Sequence, residues 1–170
     1  MGELAAAATL DDELVSIGLG SCVGVALLDA GSGVAGLAHV MLPAASQPDP
    51  PLPHKYADLA VPSLLELVQA TGARRTRLEA ALVGGAAMFQ FGGGSGQEIG
   101  QRNIAAVTGL VEAARIPIRA TQLAGNKGRT LRVHVGPDIS ITVREAGGRD
   151  EQLLGGKTGR TGIESKVVYA

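Results

Sequence analysis

The sequence predicts a single-domain α+β fold with two main helices on a mostly antiparallel sheet. Three observations carry that prediction. Two stretches, Tyr56–Thr71 and Ile99–Ala114, repeat apolar residues at helical spacing. The rest of the chain breaks into about seven short apolar segments separated by glycine-rich turns, the pattern of strands. Finally, 170 residues with 45% hydrophobic content can bury a core without cross-links, and one cysteine leaves no intrachain disulfide to form.

Along the chain, Glu13–Gly18 and Cys22–Leu28 read as strands separated by a glycine loop. Asp29-Ala30-Gly31-Ser32-Gly33 is strong turn chemistry, so Val34–Leu42 returns as the second arm of a hairpin. Pro43–Pro53 holds five prolines and reads as an extended surface loop. In the first helix, Pro62 leaves two readings: a start near Val61, or a kink. Leu78–Val83, Ile116–Leu123, Thr130–Val135 and Ile139–Arg144 are the remaining strands. Residues 1–146 form the expected domain. Beyond Ala146 the Gly, Arg, Lys and Thr content predicts a mobile tail over 147–170.

Composition narrows the function. A net charge of −1 gives no basic footprint for nucleic acid, and 2% aromatics leave few stacking platforms. Met1–Leu14 carries four acidic residues and no basic n-region, and no apolar run approaches the roughly 20 residues of a membrane span. A cytoplasmic protein without direct membrane insertion is the expectation. No His, Cys or carboxylate cluster has metal-ligand spacing, so neither metal nor cofactor is expected. Gly31-Ser32-Gly33-Val34-Ala35-Gly36 matches a dinucleotide fingerprint literally, but a strand rather than a helix follows it, so it reads as the hairpin turn. Gly92–Gly96 lacks the Lys-Ser/Thr of a phosphate loop and reads as flexible.

The chemistry centres on Cys22, the sole thiol, in Gly18-Leu19-Gly20-Ser21-Cys22-Val23-Gly24. His39 lies on the other arm of the hairpin. A two-residue turn at Ala30-Gly31 would place the two directly opposite each other, about 4.5–5.5 Å apart at Cβ. A three-residue turn at Ala30–Ser32 would shift His39 by one position and turn it to the other face. Thiol beside imidazole is the arrangement of an activated cysteine nucleophile, and backbone N–H groups of the loop at Ser21 and Cys22 suit an oxyanion. Ser16, by spacing alone, is a solvent-facing strand hydroxyl that could also orient the imidazole. His54 and His134 lack the hairpin relation to Cys22 and read as surface or strand histidines.

Six blocks occur in one order: Gly18-Leu19-Gly20-Ser21-Cys22-Val23, Ala38-His39-Val40-Met41-Leu42-Pro43, Lys55-Tyr56-Ala57-Asp58, Gly84-Gly85-Ala86-Ala87-Met88-Phe89, Ile99-Gly100-Gln101-Arg102-Asn103 and Ala124-Gly125-Asn126-Lys127-Gly128-Arg129. From about Glu13 to Ala146 the chain closely resembles the CheD family of chemoreceptor glutamine deamidases. The resemblance implies hydrolysis of glutamine side chains on the cytoplasmic helices of chemoreceptors, giving glutamate and ammonia. It places the family's nucleophile on Cys22, its histidine on His39, and on Ser16 a supporting threonine, whose hydroxyl is kept and methyl lost. It implies a layered α/β sandwich similar to the catalytic domain of cytotoxic necrotizing factor. Many family members bind a chemotaxis phosphatase of the CheC type. A non-catalytic regulator of such a phosphatase is therefore the alternative function. The segment Met1–Asp12 departs from the longer N-terminal strand region common in the family.

Overall fold

The computed structural model describes residues 2–87, 95–136, 138–155 and 167–170. Its described strands are β1 (Leu4–Ala7), β2 (Glu13–Leu19), β3 (Val23–Asp29), β4 (Val34–Val40), β5 (Glu79–Gly84), β6 (Ile118–Leu123), β7 (Arg129–His134), β8 (Ser140–Glu145), β9 (Asp150–Gly155) and β10 (Val167–Tyr169). Helices α1 (Ala57–Ala70) and α2 (Ser95–Ala113) complete the α+β domain. Where one sheet was expected there are two, each of five strands: β1-β4-β3-β5-β6 and β10-β2-β7-β8-β9. Pairing is antiparallel except for β5 with β6 and β10 with β2. The first exception follows from connectivity, because α2 carries the chain back from β5 to the start of β6.

The first sheet is buried on both faces, which is why β3 and β4 read as nearly unbroken apolar runs. On one face Val23, Val25, Leu27, Ala38 and Val40 pack against Leu64 and Val68 of α1 and Val107 and Val111 of α2. On the other, Ala26, Leu28, Ala35 and Leu37 meet Leu14, Leu131, Val133 and Ile141 of the second sheet. The layers therefore run helices, first sheet, second sheet. The helix α1 begins at Ala57, so Pro62 lies within it rather than at its start. Among the described residues no helix is long and apolar enough to cross a membrane.

Three elements fall where none was expected. The alanine-rich β1 has no alternation of its own, and pairs with β4 along Leu4↔Ala38 to Ala7↔Ala35. The stretch assigned to a tail supplies β9, antiparallel to β8, and β10, parallel to β2. The Gln152 side chain caps β9 by donating to the Leu154 carbonyl at 2.8 Å. The strand ladder compensates for a composition that alone favours disorder; residues 156–166 lie outside the described set. Gly92–Gly94 also lie outside it, while Ser95 and Gly96 begin α2 rather than extend a loop. The proline loop is as expected: residues 43–53 are largely exposed. Its base is pinned where Met41 and Leu42 N–H donate to the Lys55 carbonyl at 2.8 and 2.9 Å.

Asp29 closes the β3–β4 turn. Its fully buried carboxylate accepts from Gly31 N–H (3.0 Å), Arg74 N–H (2.8 Å) and Arg77 Nε and Nη2 (2.9 and 2.8 Å). Burial opposes ionisation, but the Arg77 side chain and the Arg74 and Ser32 hydrogen bonds outweigh it, holding the carboxyl well below the usual range. We expect Asp29→Asn to lose about 2–3 kcal/mol at pH 7, since it leaves these donors mispaired. Because the native pKa is depressed, the contribution exists above the unfolded value of about 3.9 and fades as pH falls toward the native one. Urea unfolding should show the gap between wild type and variant shrinking from pH 7 to pH 3; a constant gap would contradict this role.

Candidate active site

Both hairpin registers anticipated from the sequence are superseded. The ladder ends at Asp29↔Val34, so four residues, Ala30–Gly33, form the turn and His39 stands opposite Gly24. Cys22, just before β3, is two positions from Gly24 and so shares its side of the sheet. Diagonal neighbours of this kind lie about 7–8 Å apart, closer at Cβ. Both side chains enter the layer between the sheets, where Cys22 packs on the inner apolar cluster. A shift of two positions restores the face that a shift of one would have lost.

His39 is almost completely buried, and Cys22 is partly exposed. The His39 Nδ1 and Ser16 Oγ atoms are 3.0 Å apart, joining β4 of one sheet to β2 of the other. Ser16 is fully buried, so the solvent-facing reading of its hydroxyl is corrected. Just beyond it β2 shifts register against β7 between Ser16 and Leu19, and the inner face is kept by Leu14, Ser16 and Leu19. The His39 Nε2 atom is buried with no hydrogen-bond partner among the described residues. Thiol and imidazole therefore share a layer without being hydrogen-bonded in this state. Catalytic hydrogen bonds commonly tighten only when substrate binds.

Burial sets the charges. It pushes the Cys22 thiol up and drives His39 down to about 4. At neutral pH the pair rests as thiol and neutral imidazole, rather than as a thiolate–imidazolium ion pair. Neutral His39 is in the form that accepts a proton.

The loop bearing Cys22 is held through its carbonyls. Gly20 C=O accepts from Ala86 N–H, and Cys22 C=O from Gly85 N–H, each at 2.7 Å. The Ser21 C=O accepts from Asn103 Nδ2 at 2.9 Å. Gly84 allows this approach: with φ of 120°, its hydrogen faces the Cys22 carbonyl, and a Cβ there would collide with that oxygen. The Ser21 and Cys22 N–H groups donate to no other described residue, and the Cys22 N–H lies against its own sulfur, the place where an oxyanion donor is needed.

The other histidines lie elsewhere. His134 is 3.4 Å from the Glu13 carboxylate and substantially exposed, and His54 sits in a short 3-10 turn, Pro53–Lys55. Asn103 is a residue to which the sequence reading assigned no role. Its signal was present: a polar side chain in register with Val107 and Val111 on the buried stripe of α2. No group of three His, Cys, Asp or Glu arranged to hold a metal ion occurs among the described residues.

The chain is similar to known proteins over most of its length. Residues 41–144 match the family described as CheD chemotactic sensory transduction. A probable chemoreceptor glutamine deamidase CheD from Clostridium kluyveri is 48% identical over 120 residues, covering 69% of this chain and 74% of that protein. Proteins of the same description from Clostridium botulinum strains Hall and Eklund 17B are 43% and 45% identical over 122 residues, covering 71% of this chain and 75% of each. With similarity of this extent, the chain belongs to the CheD family.

Proposed function

We propose that this protein hydrolyses glutamine side chains of chemoreceptors to glutamate and ammonia, with Cys22 as nucleophile, His39 as proton carrier and Ser16 as the group orienting His39. The observation that carries the reading is the Ser16–His39 contact on the same inter-sheet layer as the chain's sole thiol. Relatives at 43–48% identity are named for this activity.

The neutral resting pair directs the order of events. His39 Nε2 takes the thiol proton as sulfur bonds to the carboxamide carbon, and the carbonyl electron pair moves onto oxygen. Ser21 and Cys22 N–H groups face that charge. The C–N bond breaks as the imidazolium returns its proton to the departing ammonia, leaving a thioester. Water then loses a proton to His39 and attacks the thioester. Release of sulfur, reprotonated by His39, regenerates the thiol and frees glutamate. Through both halves Nδ1 needs to hold its proton toward a fixed acceptor, which Ser16 Oγ supplies at 3.0 Å.

Incubation with a receptor cytoplasmic fragment, followed by mass spectrometry, tests the assignment. Wild type should add about one dalton per modified glutamine while Cys22→Ala adds none and remains folded; a variant as active as wild type would refute the nucleophile. A protein acting only by regulating a phosphatase would produce no mass change at all. His39→Ala should lower turnover about 10²–10⁴-fold. For Ser16→Ala we expect roughly a tenfold fall, or about 1.4 kcal/mol, and no measurable fall would remove Ser16 from the mechanism.

The charge state has its own signature. With the thiol raised and the imidazole lowered, alkylation of Cys22 by iodoacetamide should be slow at neutral pH and climb steadily through pH 9. A fast plateau between pH 5 and pH 7 would instead reveal a thiolate–imidazolium ion pair.

A further inference from the structure

We propose that Asn103 is a positioning residue that fixes the direction of the Cys22 N–H, the donor facing the oxyanion. The inference rests on the deamidase reading above and extends it to a residue on a different element, α2. Three successive carbonyls at the nucleophile, those of Gly20, Ser21 and Cys22, are hydrogen-bonded. Two of them meet backbone N–H groups of Gly85 and Ala86, which directly follow the last ladder pair of β5, Val23↔Gly84. Only the middle one depends on a side chain. Every described peptide here is trans, so in the Ser21–Cys22 unit the C=O and N–H point in opposite directions. Holding the Ser21 carbonyl on Asn103 therefore aims the Cys22 N–H away from α2. Without that bond the unit is free to rotate, and a rotated peptide would present a carbonyl where the oxyanion needs a donor.

Two further features separate this arrangement from a simple helix–sheet tether. The same Nδ2 also donates to the Met41 carbonyl at 2.8 Å, two residues beyond His39, so one amide group binds the nucleophile loop and the end of the histidine strand together. The two carbonyl acceptors also settle which end of the carboxamide is the NH₂, since only that end can donate. Yet Asn103 Oδ1 is left buried without a partner among the described residues, and the residue is fully buried. An unpaired buried oxygen is a cost that tethering alone does not explain. The approach of α2 needed for this contact is made at Gly100, where any Cβ would stand 2.7 Å from the Gly85 carbonyl.

Iodoacetamide alkylation consumes the same thiol but forms no oxyanion, so it reports on Cys22 and His39 without reporting on the donor. Deamidation needs both. For Asn103→Asp, which keeps the volume and loses the NH₂ donors, kcat for ammonia release from a receptor fragment should fall roughly 10–100-fold. KM and the alkylation rate should stay within about twofold of wild type. Asn103→Ser, too short to reach both carbonyls, should behave alike, and serves if the aspartate variant fails to fold. A kcat within twofold of wild type in a folded variant would overturn the proposal. So would alkylation falling in step with kcat, which marks a merely structural residue. Wild type and Cys22→Ala run in parallel: an inactive wild type, or an active Cys22→Ala, overturns the deamidase reading and this inference with it.

Discussion

The contact between Ser16 and His39 spans the gap between two sheets, and much of the site follows from where that gap places it. An imidazole on β4 can meet a hydroxyl on β2 only if both strands turn those residues inward and the sheets pack closely there. Burial on this scale has an electrostatic consequence. The charged imidazole loses more by desolvation than the Glu3 charge and the Ala170 backbone restore, so the neutral form prevails and the pKa falls to about 4. A hydroxyl suits such a place better than a carboxylate would. It hydrogen-bonds the ring without adding a buried charge that needs a counter-ion.

Backbone geometry supplies what side chains do not. The end of the first sheet beside Cys22 is unusually close-packed, with the Gly84 turn against the Cys22 carbonyl and Gly100 of α2 against the Gly85 carbonyl. Carbonyls are absorbed inward by this packing, while the Ser21 and Cys22 N–H groups donate to no other described residue. In the proposed reaction, the electrostatic partner for the developing negative charge would be peptide units already ordered before it begins. Both ends of the chain contribute to the same framework. Residues of β1 line β4, where His39 N–H donates to the Glu3 carbonyl at 3.1 Å, and β10 lines β2 beside Ser16.

Different parts of this arrangement were legible in the chain to different degrees. That Cys22 and His39 lie on the two arms of one hairpin was readable because strong turn residues tie two chemically marked positions by local spacing. The exact register was not, because Asp29 takes up Gly31, Ser32, Arg74 and Arg77 and so lengthens the turn to four residues. Arg74 and Arg77 are more than forty residues away, beyond any local rule. Ser16 was readable as a strand hydroxyl, but its burial depends on a second sheet that no periodicity announced. The strands β9 and β10 were hidden for a related reason: their residues are ordinary in composition and become strands through the partners they find.

Local chemistry thus settled the α+β class, the hairpin, the two helices and the residue types able to react, since each depends on neighbours within a few positions. Tertiary packing decided the rest: the split into two sheets, the neutral state of the buried imidazole, and the use of Asn103 to join Ser21 to Met41. The Asn103 contacts join groups 62 and 82 positions apart in the chain. Their energies arise from excluded water and fixed dipoles, which exist only after the layers have closed.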